Sequence, residues 1–347
     1  MAIFTDQNQS QPTGKSHVYS DLIDKLRAKY EISPDDDKDV FLGIRVKKVN
    51  VQNNGGTVLI LSMQRYIEDV HSKIMPGPFI PTWKPNDGKG KVTKKDCPNI
   101  DPGTNKLQKK YCEIIGILRW IERISRPDIT ETLSELGKVQ SNPGQKHMDK
   151  LNHLFRFVLT TSHMGVVYGQ PLNDGPSGRC IGMVDSTWAC CPDSLTSRGG
   201  YVFCCNQSPI VWSSFRLKSI ALSSCEAEFM ACSQATQEAL WLRHLEGDLG
   251  YGDNSIAQFG KWCSQDFIAK KLSIHADPDE TPSTIFNDNK GAIAMTYNPV
   301  HSRRGRHIHI RYLFCRQQTE EGHVEFAFIP GTENWADLFT KGLPKTT

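Results

Sequence analysis

The stretches CIGMVDSTWA (180–189), SRGGYVFCCN (197–206) and PIVWSSF (209–215) decide how this chain folds. Each is short, rich in β-branched and aromatic residues, and bounded by turn formers, which predicts three consecutive strands in an antiparallel meander. Residues 223–248 then predict one long helix, starting at Ser223 or Ser224 with Glu226 placed as in a capping box. STIFND (283–288) predicts a fourth strand running into a short helix, NKGAIAMTYN (289–298). HIHIRYLFCRQQTEEG (307–322) predicts a helix ending at Gly322, and HVEFAFI (323–329) a fifth strand. NWADLFTKGL (334–343) predicts a closing helix. The order β-β-β-α-β-α-α-β-α implies a mixed sheet, because helical crossovers bring the later strands in parallel.

Upstream, the pattern differs. Residues 1–20 are polar and predict a disordered or truncated edge; Ser20 to Tyr30 has helical apolar spacing. VFLGIRVKKVN and TVLILSMQ flank Asn53-Asn54-Gly55-Gly56 and predict a hairpin. RYIEDVHSKIM predicts a helix. Residues 76–110, rich in Pro, Gly, Lys and Asp, predict a long surface loop, an insertion or linker. YCEIIGILRWIERIS, ITETLSELGKVQ (with Asp128 as its cap) and QKHMDKLNHLFRFVLTT predict three helices, followed by a strand at VVYGQ. A domain boundary is expected near residue 175, giving 21–174 and 175–347.

Composition narrows the class. With 347 residues, 38% hydrophobic and 23% charged, the chain is long enough for two cores without disulfides, and is neither disordered throughout nor collagen-like. No apolar run approaches the roughly 18 residues of a membrane span, and the first residues lack the pattern of a secretory signal. The expectation is an intracellular protein, cytoplasmic or nuclear, with no membrane partner. The eleven cysteines form no C-x-x-C pair and read as reduced thiols. A net charge of +3 does not by itself argue for nucleic acid, so any basic patch must be local.

Four acids stand at telling places. Asp185 is an isolated charge after the apolar run Ile181 to Val184, Glu228 lies in the first turns of the long helix, Asp288 ends the fourth strand and Asp337 opens the last helix. Taken singly, the last three read as solvated, turn or cap residues; a lone acid inside an apolar strand is costly unless paired. Strand ends and helix N-termini can converge at one sheet edge. Four carboxylates there would repel one another unless a divalent cation held them, and oxygen-only ligation suits Mg²⁺, with Mn²⁺ as a substitute. Two such ions would form the clamp for in-line phosphodiester hydrolysis.

On these stretches the chain resembles copia-type retrotransposon Pol polyproteins. CEAEFMACSQATQEALWLRHLEGDLG, VDSTWACCPDSLTSRGGYVF, IVWSSFRLKSIALSS, FNDNKGAIAMTYNPVHSRRGRHIHIRYLF and VEFAFIPGTENWADLFTKGLP resemble the family's ribonuclease H domain. VFLGIRVKK, SMQRYIEDV, KKDCP, YCEIIGILRWIERISRPDI and SNPGQKHMDKLNHLFRFVL resemble the C-terminal part of its reverse transcriptase. The resemblance implies an α/β ribonuclease H-like domain, a five-stranded mixed sheet with flanking helices, preceded by an α+β thumb- or connection-like region. It also implies cleavage of the RNA strand of an RNA–DNA hybrid, with the family's metal-binding carboxylates falling on Asp185, Glu228, Asp288 and Asp337. The rest of a Pol polyprotein or reverse transcriptase would be the protein partner.

The pattern departs from the family in three ways. The polymerase Tyr-x-Asp-Asp turn is absent, so no polymerase active site is expected within these residues. Thr187 stands where the family has another acid, and His309 where it has aspartate. The alternative is therefore a catalytically silent nucleic-acid-binding remnant. An integrase-like transferase is disfavoured, because no His/Cys zinc spacing appears. For nucleic-acid contact the segment HSRRGRHIHIR offers Arg303, Arg304, Arg306, His307, His309 and Arg311. Ser223 and Ser224 offer hydroxyls and helix N–H groups to a phosphate, or simply cap the helix. Asn289 is a candidate for contact with a 2′-hydroxyl. Trp188 and Trp212 read first as core aromatics, and His323 as a histidine with no clear family role.

Overall fold

A computed structural model describes residues 40–50, 57–100, 104–169, 180–205, 208–248, 282–297 and 306–342. The chain divides into two units, residues 1–41 and 42–347. Of the first, only Val40 and Phe41 are described, so the edge expected at 1–20 and the helix expected at 20–30 lie outside the described residues.

Within the second unit, β1 (Ile44–Asn50) and β2 (Thr57–Ser62) pair antiparallel, with Arg45 opposite Ser62, as expected of a hairpin. β3 (Gly165–Tyr168) adds to β2 on its other side. Helices α1 (Gln64–Ile74), α2 (Lys106–Ser125), α3 (Thr130–Gly137) and α4 (Gln145–Thr160) form the helical layer. Tyr111, Ile114, Leu118 and Ile121 lie along one face of α2, and Leu151, Leu154, Phe155 and Val158 along one face of α4. Both faces belong to one core, and each such aliphatic side chain contributes roughly 1.5–3 kcal/mol on burial.

Asp128 does not cap α3. It takes two hydrogen bonds from the fully buried Arg126 (2.9 and 2.7 Å), whose guanidinium also donates to the carbonyl and hydroxyl of Thr161. A buried cation outbids a helix terminus for a carboxylate, because leaving it unpaired costs more than an uncapped N–H.

The second half follows the expected order. β4 (Ile181–Thr187), β5 (Arg198–Cys205) and β6 (Ser208–Arg216) form the meander; α5 (Ser224–Asp248) follows, then β7 (Ser283–Asn287), α6 (Lys290–Tyr297), α7 (Arg306–Glu320), β8 (Val324–Phe328) and the single turn α8 (Asp337–Thr340). The sheet order is β6-β5-β4-β7-β8. β4–β5 and β5–β6 are antiparallel, while β4–β7 and β7–β8 are parallel. This is the five-stranded mixed sheet with flanking helices implied by the resemblance.

Strand β4 is buried on both faces. Ile181 and Met183 meet Val202, Trp212, Phe286 and Phe339 on one side, and Val184 meets Tyr201, Phe203 and α5 on the other. Ala227, Ala231, Ala235 and Ala239 recur every fourth residue on α5, and small side chains at that spacing let the helix lie close to the sheet. On another side of α5, Phe229 packs against Ala292 of α6 and Cys315 of α7. A helix covered on two sides has no single apolar stripe, which is why its cap marked it in the sequence better than its periodicity.

The segment 76–110 is not a free linker. Lys91 Nζ donates to the Cys190 carbonyl (2.6 Å), Thr93 Oγ1 to Asp193 (2.7 Å), and Val92 is buried. α2 also begins earlier than expected, at Lys106, where the Asn105 side chain accepts from Leu107 N. Long-range polar bonds tie its described residues to the rest of the unit, and these leave no periodic trace.

Gly200 sits opposite Asp185 in the β4–β5 register, and a Cβ there would come within 2.6 Å of Phe339 Cβ and 3.1 Å of the Phe339 backbone. Gly200→Ala is expected to push α8 off the sheet and cost about 1–3 kcal/mol, the usual penalty of overpacking. Thermal unfolding checks this; an unchanged midpoint would show that α8 is not held at that contact.

Candidate metal centre

Asp185 lies near the end of β4, 2% exposed, and Glu228 reaches it from the second turn of α5, 5% exposed. Asp288 follows β7 directly and is half-buried. One carboxylate oxygen from each of these three lies within 4.8 Å of the others. Among the described residues this is the one His/Cys/Asp/Glu cluster with such spacing. Asp337 stands at the start of α8 outside that triad, yet its charge is felt by both Asp185 and Asp288.

Hydrogen bonds hold the triad. Glu228 Oε1 accepts from Ser186 N (3.0 Å) and its Oε2 from Asn287 Nδ2 (2.9 Å). Asn287 also donates to the Val184 carbonyl (3.2 Å), and Asn334 donates to that same carbonyl (3.0 Å). The parallel pairing of β4 with β7 leaves Val184 O to be taken by side-chain amides, and these fix the strand end that bears Asp185. Thr340 Oγ1 donates to Asp185 Oδ2. Lys341 Nζ lies 2.6 Å from Asp337 Oδ1 and 3.8 Å from Asp185 Oδ2. Asn287, Asn334, Thr340 and Lys341 escaped the sequence reading. Polar residues one to four positions from a candidate acid (Asn287 beside Asp288; Asn334, Thr340 and Lys341 around Asp337) were the available signal, and it is a common pattern.

The electrostatics follow from burial and crowding. Burial, opposed by the Thr340 bond and Lys341 and aided by Asp337 and Asp288, pushes Asp185 up to about 7. Burial, then repulsion from Asp185, pushes Glu228 up to about 8. Burial and Asp337 raise Asp288 as well. Burial works to lower Lys341, but its bond to Asp337 and the charges of Asp185, Asp337 and Asp288 prevail and raise it. Close carboxylates that resist joint ionisation form a donor set suited to a hard divalent cation, which removes the repulsion.

The remaining candidates divide. Ser223 is a helix cap: its Oγ accepts from Glu226 N (3.1 Å), while Glu226 Oε2 accepts from Leu222 N (2.8 Å). Ser224 opens α5 and is exposed. Asn289 is likewise occupied as a cap, accepting from Ala292 N (3.0 Å). Arg306, His307, His309 and Arg311 fall in the first turns of α7, but their side chains, and all of Arg303 and Arg304, lie outside the described residues. Trp212 is buried as expected. Trp188 is not core: it is half-exposed, with its indole N–H donating to the Ala221 carbonyl (2.9 Å). His323 faces Gln318 and precedes Val324, which pairs with Ser283 at the opposite end of β7 from Asp288. That is four to five strand residues, about 15 Å, from the carboxylates. Thr187 donates to the Thr340 carbonyl (3.2 Å), tying β4 to α8 where the family has an acid.

Fold and site together define an α/β protein with an acidic cluster at one edge of a mixed sheet. The comparisons then place the chain with the retrovirus-related Pol polyproteins of copia-type transposons. It is 26% identical to the Pol polyprotein from transposon RE1 of Arabidopsis thaliana over 93% of its own length and 19% of that protein's. It is 25% identical to the Pol polyprotein from transposon TNT 1-94 of Nicotiana tabacum over 88% of this chain and 20% of that one. The chain thus spans about a fifth of the length of these relatives. A solved structure of LC11-RNase H1 in complex with RNA/DNA hybrid aligns with 46% of this chain and 91% of its own, at 13% identity and a TM-score of 0.28. No family model matches the chain. No helix among the described residues is long and apolar enough to cross a membrane.

The raised carboxylates give a signed prediction. Their ordinary values are 3.8 and 4.5, so between about pH 4 and pH 8 the folded chain holds protons that the unfolded chain has lost. Metal-free stability from these two groups therefore falls as pH rises through that window. Glu228→Gln is expected to flatten this fall, and Mn²⁺ to raise the melting temperature more at pH 8 than at pH 6. Melting curves across pH, with chelator and with Mn²⁺, read both; a Mn²⁺ effect independent of pH would contradict ligation by these carboxylates.

Proposed function

We propose that this chain carries a metal-dependent ribonuclease H site that hydrolyses the RNA strand of an RNA–DNA hybrid. The observation that carries this reading is the convergence of Asp185, Glu228 and Asp288 at the sheet edge, with their ionisation suppressed by burial and by one another. Similarity to Pol polyproteins along about nine-tenths of the chain supports it.

In this reading Asp185, Glu228 and Asp288, with Asp337 beside them, would hold two Mg²⁺ ions, and Mn²⁺ would substitute. Metal held there would supply an activated water and charge neutralisation at the leaving oxygen. The chain's own contribution is rigidity. Ser186 N and Asn287 orient Glu228, Thr340 orients Asp185, and Lys341 neutralises Asp337. The basic start of α7, with Arg303, Arg304, Arg306, His307, His309 and Arg311, would hold phosphates and set position rather than sequence choice. Ser224, four residues before Glu228, and the exposed Trp188, three residues after Asp185, would meet the hybrid near the scissile bond. Ser223 and Asn289, occupied as caps, would contribute backbone geometry and not direct contacts.

Residues 175–347 are proposed as the nuclease portion and 21–174 as a region derived from a reverse transcriptase, without polymerase chemistry. An intracellular location and assembly with other Pol segments follow from the same reading.

Purified chain is expected to cut a labelled RNA–DNA hybrid in the RNA strand with Mg²⁺ or Mn²⁺ and not with chelator. Asp185→Asn should lower the rate by at least about a hundredfold, beyond the usual effect of losing an outer-shell partner. Salt-sensitive hybrid binding by a folded sample that never cuts would replace this reading with that of a silent nucleic-acid-binding remnant.

A further inference from the structure

Arg198 opens β5 and is one of the most buried cations in the molecule, with 3% of its side chain exposed. Among the described residues, no acid of the nuclease portion pairs with it. Its guanidinium pairs with Glu135 and lies 3.9 Å from Glu131, both on α3 of the upstream region. It also donates to Ser134 Oγ (3.0 Å) and Ser214 Oγ (2.8 Å), while Ser134 Oγ donates to the Ser214 carbonyl (3.0 Å). Glu131, Ser134 and Glu135 are spaced i, i+3, i+4, so one face of α3 is built to receive this cation.

The connection runs on to the carboxylates. Arg198 is directly opposite Thr187 in the β4–β5 register, two residues from Asp185. Thr187 Oγ1 donates to the Thr340 carbonyl, and Thr340 Oγ1 donates to Asp185. A cavity of about 450 Å³ beside this path is lined by Glu131, Glu135 and Arg198 together with Thr187, Thr340 and Lys341, so these groups surround one space. An arginine suits the keystone position, because its planar fork can hold carboxylate and hydroxyl partners at fixed angles, which a lysine cannot.

We propose that α3 is a positioning element of the nuclease site, acting through Arg198. Glu131, Ser134 and Glu135 hold Arg198, Arg198 holds the end of the β4–β5 pair, and Thr187 passes that position through Thr340 to Asp185. The upstream region is thereby part of the machinery that shapes the metal site, even though it supplies no ligand. The Thr187 departure acquires a function: a hydroxyl there donates to the Thr340 carbonyl, which an ionised acid cannot do. This inference rests on the reading of Asp185 as a metal ligand.

The test is Mn²⁺ affinity of the full chain, measured by calorimetry well below the melting temperature of each variant. Glu131→Gln with Glu135→Gln, and separately Thr187→Val, are each expected to weaken Mn²⁺ binding about tenfold, the lower end of the range for outer-shell partners. Combined, they should weaken it no further than either alone, because they cut one path. A role confined to holding the fold together would lower the melting temperature and leave affinity in the folded sample unmoved. Unchanged affinity in folded variants, or losses that simply multiply, overturns the proposal. Should the double glutamine variant not fold, Ser134→Ala removes the bond from the Arg198 guanidinium and the bond to the Ser214 carbonyl while leaving both glutamates, and is expected to give a loss of about threefold, non-additive with Thr187→Val; unchanged affinity there overturns it equally. Absence of Mn²⁺ binding by the unaltered chain overturns the metal reading itself, and this inference with it.

Discussion

A carboxylate buried in the central strand of a sheet is the constraint on which this structure turns. Asp185 is nearly inaccessible, on a strand covered on both faces, and two more acids face it. Such a group is tolerable only where its surroundings are fixed, since a mobile pocket would admit either water or collapse. The neighbouring Val184 carbonyl is accordingly gripped by two amides, from Asn287 and Asn334, that come from segments more than a hundred residues away. Thr340 and Lys341 close the remaining side. The sheet order, with β4 between an antiparallel and a parallel neighbour, lets all these groups reach one edge.

The upstream region belongs to the same construction. Val166 of β3 packs into the core beneath Trp212 and Phe339, Gly169 N donates to Ser208 Oγ (2.9 Å), and Asp193 receives Thr93 and Lys94. Arg198 with its α3 partners is the most buried of these ties. The sheet face opposite α5 would otherwise expose Met183, Val202 and Trp212. The single-turn α8 is too short to cover it, so the upstream elements complete the cover.

Much of this was legible in the residues. Strand and helix order in the second half followed from alternation and from turn formers, and the Ser223–Glu226 cap was visible as a spacing. Asp185 stood out because an acid in an apolar strand needs a reason. Other features carried no such mark. Asp128 has the form of a helix cap, and only the position of Arg126 diverts it. The 76–110 segment has the composition of a linker, and its described residues are held by long-range bonds to α4 as well as to Cys190 and Asp193. Trp188 and Trp212 are equivalent by composition, but Trp212 lies within β6 and is buried, while Trp188 falls in the turn just past β4 and is half-exposed.

The sequence by itself determined the elements, their order and the four candidate acids, because hydrophobic period, capping and charge in an apolar run are local properties. It also carried the resemblance to copia-type Pol proteins. Only the tertiary structure decided that Asp185, Glu228 and Asp288 share one space while Asp337 stands beside it with Lys341. It alone joined Arg198 to α3 and Thr187 to Thr340. Apart from the local Asp337–Lys341 pair, these are contacts between residues 42 to 155 positions apart, and hydrogen bonds and ion pairs at that separation depend on how layers stack and strands register, which no local pattern encodes.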